Sequence, residues 1–285
     1  MITTSFDYAR ATSIDDALAR LAAADGAAKL LAGGHSLVPL MKLRLSEPTL
    51  LIDIARIPGL AGIKDGKGGK IEIGAGTVHH DVATSALLRD RCPALAETAE
   101  TIGDPQVRNR GTLGGSLAHA DPSADYPAML LALDAEIHMK SAAGWRAVKA
   151  SDFFQGMFTV DLKPDEIIVG VQFTPVRAAA YAKLHQRASH FAIVGVGAAL
   201  EVSGGTITAA RVGLTGAAPS ATRLTNVEAA LVGKPLSEGT IASAAALAGA
   251  GIDDLNADIH ASAEYRRAMI PVFTKRALEG ARARA

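Results

Sequence analysis

Residues 102–127 read IGDPQVRNRGTLGGSLAHADPSADYP, and neither a helical nor a strand period persists through them. Gly, Asp, Pro, Asn and Ser dominate, the composition of a long connection. Long irregular stretches inside a compact domain are usually functional or disordered. Val107, Leu113 and Leu117, spaced through this one, argue for order. Thr112-Leu113-Gly114-Gly115-Ser116 sets two glycines between hydroxyls. Paired glycines permit positive φ and close approach of a ligand, and the neighbouring N–H and O–H groups suit phosphate oxygens. Arg108 and Arg110 can add charge. Asp125 follows where a carboxylate could accept from ribose hydroxyls, and would serve equally well as a helix N-cap. His119 and Asp121 look like metal ligands, but without a third candidate they fit turn and capping roles better.

Upstream of this segment the chain alternates strand and helix. Ser13 followed by Ile14, Asp15, Asp16, Ala17, Leu18, Leu21 and Ala22 is a capped amphipathic helix ending near Asp25-Gly26. Residues 29–32 form a short strand running into Gly33-Gly34, and 50–54 form another after a basic helical turn. A strand over 71–76, a helix over 78–88 and a second helix over 94–101 lead into the irregular segment. Downstream, a helix over 125–133 precedes strands at 135–140, 145–148 and 167–173. Pro175 and the Ala-rich residues after it mark a boundary. Three strands follow, over 181–186, 193–202 and 206–214, with Ser203-Gly204-Gly205 as a hairpin signal. Helices over 227–231, 237–250 and from 262 onward complete the chain. This order describes an α+β protein with a smaller C-terminal domain.

A second double glycine lies in Leu31-Ala32-Gly33-Gly34-His35-Ser36-Leu37, between a strand and a short helix. Alone it is compatible with a tight turn, a phosphate cradle or a serine-hydrolase elbow. The elbow lacks its second glycine, because position 38 is Val. Gly233-Lys234 is followed by Pro235, so no Walker loop is present, and neither Gly74-Ala75-Gly76 nor Gly195-Val196-Gly197 completes a Rossmann fingerprint.

Composition narrows the classes further. The chain has 285 residues, 49% of them hydrophobic, with a formal net charge of zero. That excludes a general basic field for nucleic acid or an anionic membrane. The single cysteine, Cys92, excludes an intrachain disulfide and cannot by itself ligate an iron–sulfur cluster. No secretory pattern opens the chain and no apolar run reaches the roughly 20 residues of a membrane span, so a cytoplasmic location is expected.

Taken together, AGGHS and TLGGS in that order, with DPQVRNRG before the second and HADPSADYPA after it, resemble the FAD-binding medium subunit of the xanthine dehydrogenase family. The similarity is greatest to the medium subunit of aerobic carbon monoxide dehydrogenases and related molybdenum hydroxylases. It runs from Phe6-Asp7-Tyr8 to the helix containing Ser262-Ala263-Glu264-Tyr265-Arg266.

The resemblance implies a two-part FAD-binding domain of the vanillyl-alcohol-oxidase (PCMH) type over residues 1–175, with parts at about 1–55 and 56–175. A C-terminal domain over 178–285, with a three-stranded antiparallel sheet and a helical bundle, would follow. It implies non-covalent FAD, although some vanillyl-alcohol-oxidase relatives attach flavin through a histidine placed like His35. Ala32, Gly33, Gly34, His35, Ser36 and Leu37 would surround the pyrophosphate, with Thr112, Leu113, Gly114, Gly115 and Ser116 on its other side. Ile102 and Gly103 would line the adenosine or ribityl path, and His119 and Asp125 would complete that end. Ile168 would touch the flavin edge, His185 stands where relatives often carry Lys, and Phe191 matches an aromatic position near the ring, with core packing as its alternative.

The implied role is electron relay. A large subunit with molybdopterin and a small subunit with two [2Fe–2S] clusters would oxidise the substrate, in a dimer of heterotrimers. The flavin would pass electrons to a quinone, NAD or oxygen. The competing readings are a stand-alone FAD oxidase of the vanillyl-alcohol type and an assembly subunit without flavin.

Overall fold

Short-range chemistry sets the start of the chain. The computed structural model describes residues 2–285. After β1 (Asp7–Arg10), the Ser13 hydroxyl accepts from the Asp16 amide at 3.0 Å, and Asp15 and Asp16 occupy the first turn of α1 (Ile14–Ala23), where the helix dipole favours acids. β2 (Ala28–Leu31), α2 (Leu37–Lys42) and β3 (Leu50–Asp53) follow. β1 and β2 both pair with β3 in parallel. Leu31 lies opposite Asp53, so Ala32-Gly33 leaves the sheet at its carboxyl end, the end at which open parallel sheets place ligands.

β4 (Ile63–Asp65) and β5 (Ile71–Gly74) enter a five-stranded antiparallel sheet. A run of helices intervenes: α3 (His79–Thr84), α4 (Ala86–Arg91), α5 (Pro93–Glu100), α6 (Pro105–Arg108), α7 (Leu113–His119) and α8 (Tyr126–Ala132). β6 (Glu136–Ser141), β7 (Gly144–Lys149), α9 (Ala150–Phe153), the small pair β8 (Phe154–Gly156) and β9 (Thr159–Val160), and β10 (Ile167–Phe173) come next. The sheet order is β4-β5-β10-β6-β7.

Residues 78–127 depart from the expected pattern in two places. The single helix over 78–88 is two helices, because Ser85 is extended (φ −61°, ψ 118°) and its hydroxyl restarts the helix by accepting from the Leu88 amide. Residues 102–127 are not irregular throughout. They hold α6 and α7, of four and seven residues, too short for a hydrophobic period to register. The same brevity hid β1, β4, β8 and β9.

The expected three antiparallel strands of the C-terminal region are β11 (Ala179–His185), β12 (Ala192–Ser203) and β13 (Thr206–Thr215), extended by a two-residue edge strand β14 (Thr222–Arg223). α10 (Thr225–Leu231), α11 (Glu238–Ala245) and the long α12 (Ala263–Arg282) complete it. The helix expected over 237–250 stops at Ala245, ahead of Gly249 and Gly251, both at positive φ.

Two apolar cores result. One contains Ile52, Ile71, Ile73, Leu95, Leu113 and Phe173 and so joins the first two sheets; the other packs Val194, Val196 and Val212 against Phe273, Ala277 and Leu278 of α12. Each such side chain contributes about 1.5–3 kcal/mol by leaving water. All seven residues of α8 are buried. A Cβ on Gly197 of β12 or Gly213 of β13 would collide with the backbone of Ala128, so these glycines let α8 lie directly against the C-terminal sheet.

Candidate cofactor-binding site

The two glycine segments touch. Gly33 is packed against the Arg110 carbonyl and the Gly111 Cα so closely that a Cβ would overlap both. His35 reinforces the contact, its Nε2 lying 3.3 Å from the Gln106 carbonyl. Gly34 supplies the turn at φ +77°. Among the described residues, none of the amides of Gly33, Gly34, His35, Ser36 and Leu37 has an acceptor within the chain, and the Ser36 side chain makes no capping bond. Five consecutive N–H groups without a partner among the described residues, bent by a left-handed glycine, are donors of the kind that suit an anion.

The second segment offers no row of free amides. Its amides are already used. Leu113 N donates to Thr77 O at 2.9 Å, Gly114 N to Ala75 O at 2.8 Å, Gly115 N to Thr112 Oγ1 at 3.1 Å and Ser116 N to Thr112 O at 3.0 Å. A Cβ on Gly114 would strike Ala75, so this glycine fixes α7 to the end of β5. The segment thus braces one wall, offering exposed Gly115 and the partly exposed Ser116 hydroxyl rather than a row of amides. Arg108, expected to supply charge, instead folds back, with Nη1 donating to the carbonyls of Ile102 and Gly103 at 3.0 Å each. Arg110 remains exposed.

His79 was not singled out by its sequence, where it is one of a His-His pair with no diagnostic neighbours. Its amide donates to Gly111 O, its Nδ1 lies 3.1 Å from the Tyr126 hydroxyl, and its ring fills the space that a side chain at position 111 would need. Burial, together with the positive surroundings of His35 and Arg108, pushes its pKa down to about 4, so the ring is neutral at pH 7.

Residues 4–176 match the family model of the FAD-binding domain in molybdopterin dehydrogenases, and residues 179–281 match that of the CO dehydrogenase flavoprotein C-terminal domain. The chain belongs to this flavoprotein family. It is 40% identical to the carbon monoxide dehydrogenase medium chain of Hydrogenophaga pseudoflava, covering 100% of this chain and 99% of that one. It is 34% identical to the glyceraldehyde dehydrogenase medium chain of Sulfolobus acidocaldarius, covering 98% and 99%. The solved structure of the Hydrogenophaga pseudoflava carbon monoxide dehydrogenase that lacks the Mo-pyranopterin moiety of the molybdenum cofactor superposes with a TM-score of 0.95 over the full length of both chains, at 41% identity. That of quinoline 2-oxidoreductase from Pseudomonas putida 86 gives 0.92 over 99% of each, at 33%. The molecule is accordingly an FAD-binding oxidoreductase component with the two-part flavin fold. Among the described residues, no helix is long and apolar enough to cross a membrane.

Ile102 and Gly103 form a turn beside α6, with Gly103 at φ +50°. Asp125 occupies the N-cap position of α8 but makes no side-chain cap, which removes the capping reading. It is buried, and its carboxylate accepts from the Tyr181 hydroxyl at 2.6 Å and pairs with Lys183 at 2.8 Å. Burial raises its pKa while Lys183 pulls it back. His119, on the last turn of α7, packs its ring 5.1 Å from that of Phe158. Phe158 sits at the β8–β9 tip at φ +52° and half exposed, a position with no sequence signal. Asp121 accepts from the Ser123 amide, a turn role. Ile168 is buried in the first core, beside a bulge of β10. Phe191 is 52% exposed, which excludes the core-packing alternative. His185 stacks edge-on against His190 and lines an open cleft of about 630 Å³ with Arg187, His260 and Tyr265.

Proposed function

We propose that this chain is the electron-relay subunit of a molybdenum-containing dehydrogenase, holding FAD non-covalently between the two glycine segments. One observation carries the reading: the segment that bears five amides without a partner among the described residues, 33–37, is packed at Gly33 against the backbone of Arg110-Gly111, which suits it to hold a pyrophosphate. Ala32 to Leu37 would hold the two phosphates. Thr112 to Ser116 would form the opposing wall, with Ile102, Gly103, His119 and Asp125 toward the adenosine and ribityl side and Ile168, His185 and Phe191 toward the ring. Bound FAD would supply the ability to exchange electrons in steps of one or two. The chain's own part is positioning and shielding. His79 holds the 110–112 turn as a neutral ring, and half-exposed Phe191 leaves the ring end open to a neighbouring molecule.

Substrate oxidation is assigned to partners, a large subunit with the molybdenum cofactor and a small subunit with two [2Fe–2S] clusters, in a dimer of heterotrimers. The chain's one cysteine supports this division. Cys92 is fully buried, and desolvation pushes its thiol up to about 11, far from the thiolate that a metal centre requires. Quinone, NAD or oxygen would receive the electrons, and a cytoplasmic location follows from the same reading.

The test is FAD titration of the purified chain, followed by acid precipitation. Saturable one-to-one binding is expected, with all flavin released to the supernatant and no dehydrogenase turnover without partners. Flavin retained in the pellet would overturn the non-covalent assignment. Absence of binding would overturn the reading as a whole.

A further inference from the structure

The C-terminal sheet meets the Thr101–Gly103 turn at a buried cation. Lys183, on β11, places Nζ 2.8 Å from Asp125 Oδ1 and 2.9 Å from Oδ2, and donates its remaining hydrogen to the Thr101 carbonyl at 3.0 Å. The two side chains are only 5% and 4% exposed. The Tyr181 hydroxyl completes the carboxylate's shell, and Gly195 on the neighbouring strand has no room for a Cβ because that hydroxyl occupies the space.

A buried ion pair is weak evidence of a stability role, since removing two charges from water costs several kcal/mol per ion and apolar replacements often do as well. The part that no apolar pair could reproduce is the bond to Thr101. Thr101 caps α5 and leads directly into Ile102-Gly103. The other side of that turn is also held from the C-terminal region: His190 Nδ1 lies 2.9 Å from the Gly103 carbonyl, and His190 takes a left-handed backbone (φ +63°) in the loop that carries it there. The carbonyls on both sides of Ile102 are therefore gripped from outside the domain that carries the glycine segments.

We propose that Lys183 is a positioning residue that, with His190, holds the Thr101–Gly103 turn in the shape that receives FAD, so that cofactor affinity is set across the domain seam. This rests on the reading of Ile102 and Gly103 as lining the FAD path.

The full-length chain and its variants are titrated with FAD, with far-ultraviolet circular dichroism and urea midpoints reporting the fold and visible circular dichroism reporting the setting of the bound flavin. Lys183→Met keeps the length of the lysine stem without its charge or donors. His190→Ala removes the second tie without stranding a buried charge. Lys183→Gln keeps a donor. Ser13→Ala, on a remote helix cap, supplies a loss of stability far from the Thr101–Gly103 turn. We expect Lys183→Met and His190→Ala to bind FAD about tenfold or more weakly with altered visible dichroism, Lys183→Gln to fall between, and Ser13→Ala to bind like the native chain. Folded Lys183→Met with native affinity and native dichroism overturns the proposal. If that variant does not fold, native behaviour of His190→Ala overturns it. A native chain that binds no FAD overturns the pocket reading and this inference together, whereas a native chain that binds alongside unaffected variants overturns this inference alone.

Discussion

At the scale of single residues, steric exclusion and desolvation decide most of the site. Gly33 cannot be replaced without parting the two glycine segments, because any Cβ meets the Arg110 carbonyl. Gly33→Ala should therefore leave the remote C-terminal core intact while lowering FAD affinity by about tenfold or more, and equilibrium titration checks it; unchanged affinity would show that the contact between segments is not needed. His79 gives a pH prediction. Its folded pKa of about 4 lies below the ordinary 6.5, so the unfolded chain takes up the proton first. Its contribution is complete above pH 6.5 and is lost as pH falls toward 4, by about 3 kcal/mol at most. Urea unfolding at pH 7 and pH 4.5 should show a smaller acid loss in His79→Gln than in the native chain. Equal losses would remove His79 as the cause.

Among the elements, short helices matter more than their length suggests. α7 depends on the Thr112 hydroxyl accepting from Gly115 N, and on Gly114 lying against Ala75. Thr112→Val should lower stability by about 1 kcal/mol and Thr112→Ser should largely restore it, measured as thermal midpoints. If serine fails to rescue, the methyl group's packing rather than the cap is responsible. The long, strongly patterned elements are legible in the sequence: the strand expected over residues 167–173 is β10, and α1 begins at its Ser13 cap. The break at Ser85 is not legible, since one serine within a continuous helical period does not reveal that its backbone is extended.

For the molecule as a whole, the seam between the FAD-binding region and the C-terminal sheet is polar as well as apolar. Thr215 Oγ1 lies 2.7 Å from the Ala124 carbonyl and 3.0 Å from that of Pro122, Gly216 N also donates to Pro122 O, and Ala192 N donates to Ser123 O. Thr215→Val would leave the Ala124 carbonyl without its donor, at a cost of about 1–3 kcal/mol. Because α8 belongs to this seam and touches β12 and β13 directly, unfolding should remain a single transition at a lower urea midpoint. Two separated transitions in the variant would show that the two cores do not fold as one unit.

What the sequence determined by itself was the α+β order, the family and the two glycine segments, because hydrophobic period, caps and double glycines are local and need no knowledge of neighbours. What only the tertiary structure decided was which polar groups remain available to a ligand. The amides of Gly33 to Leu37 are unpartnered while those of Leu113 to Ser116 are consumed, and Asp125 meets Lys183 rather than capping its own helix. A donor's availability depends on what lies opposite it in space, and segments distant in sequence supply those partners only once the chain has folded.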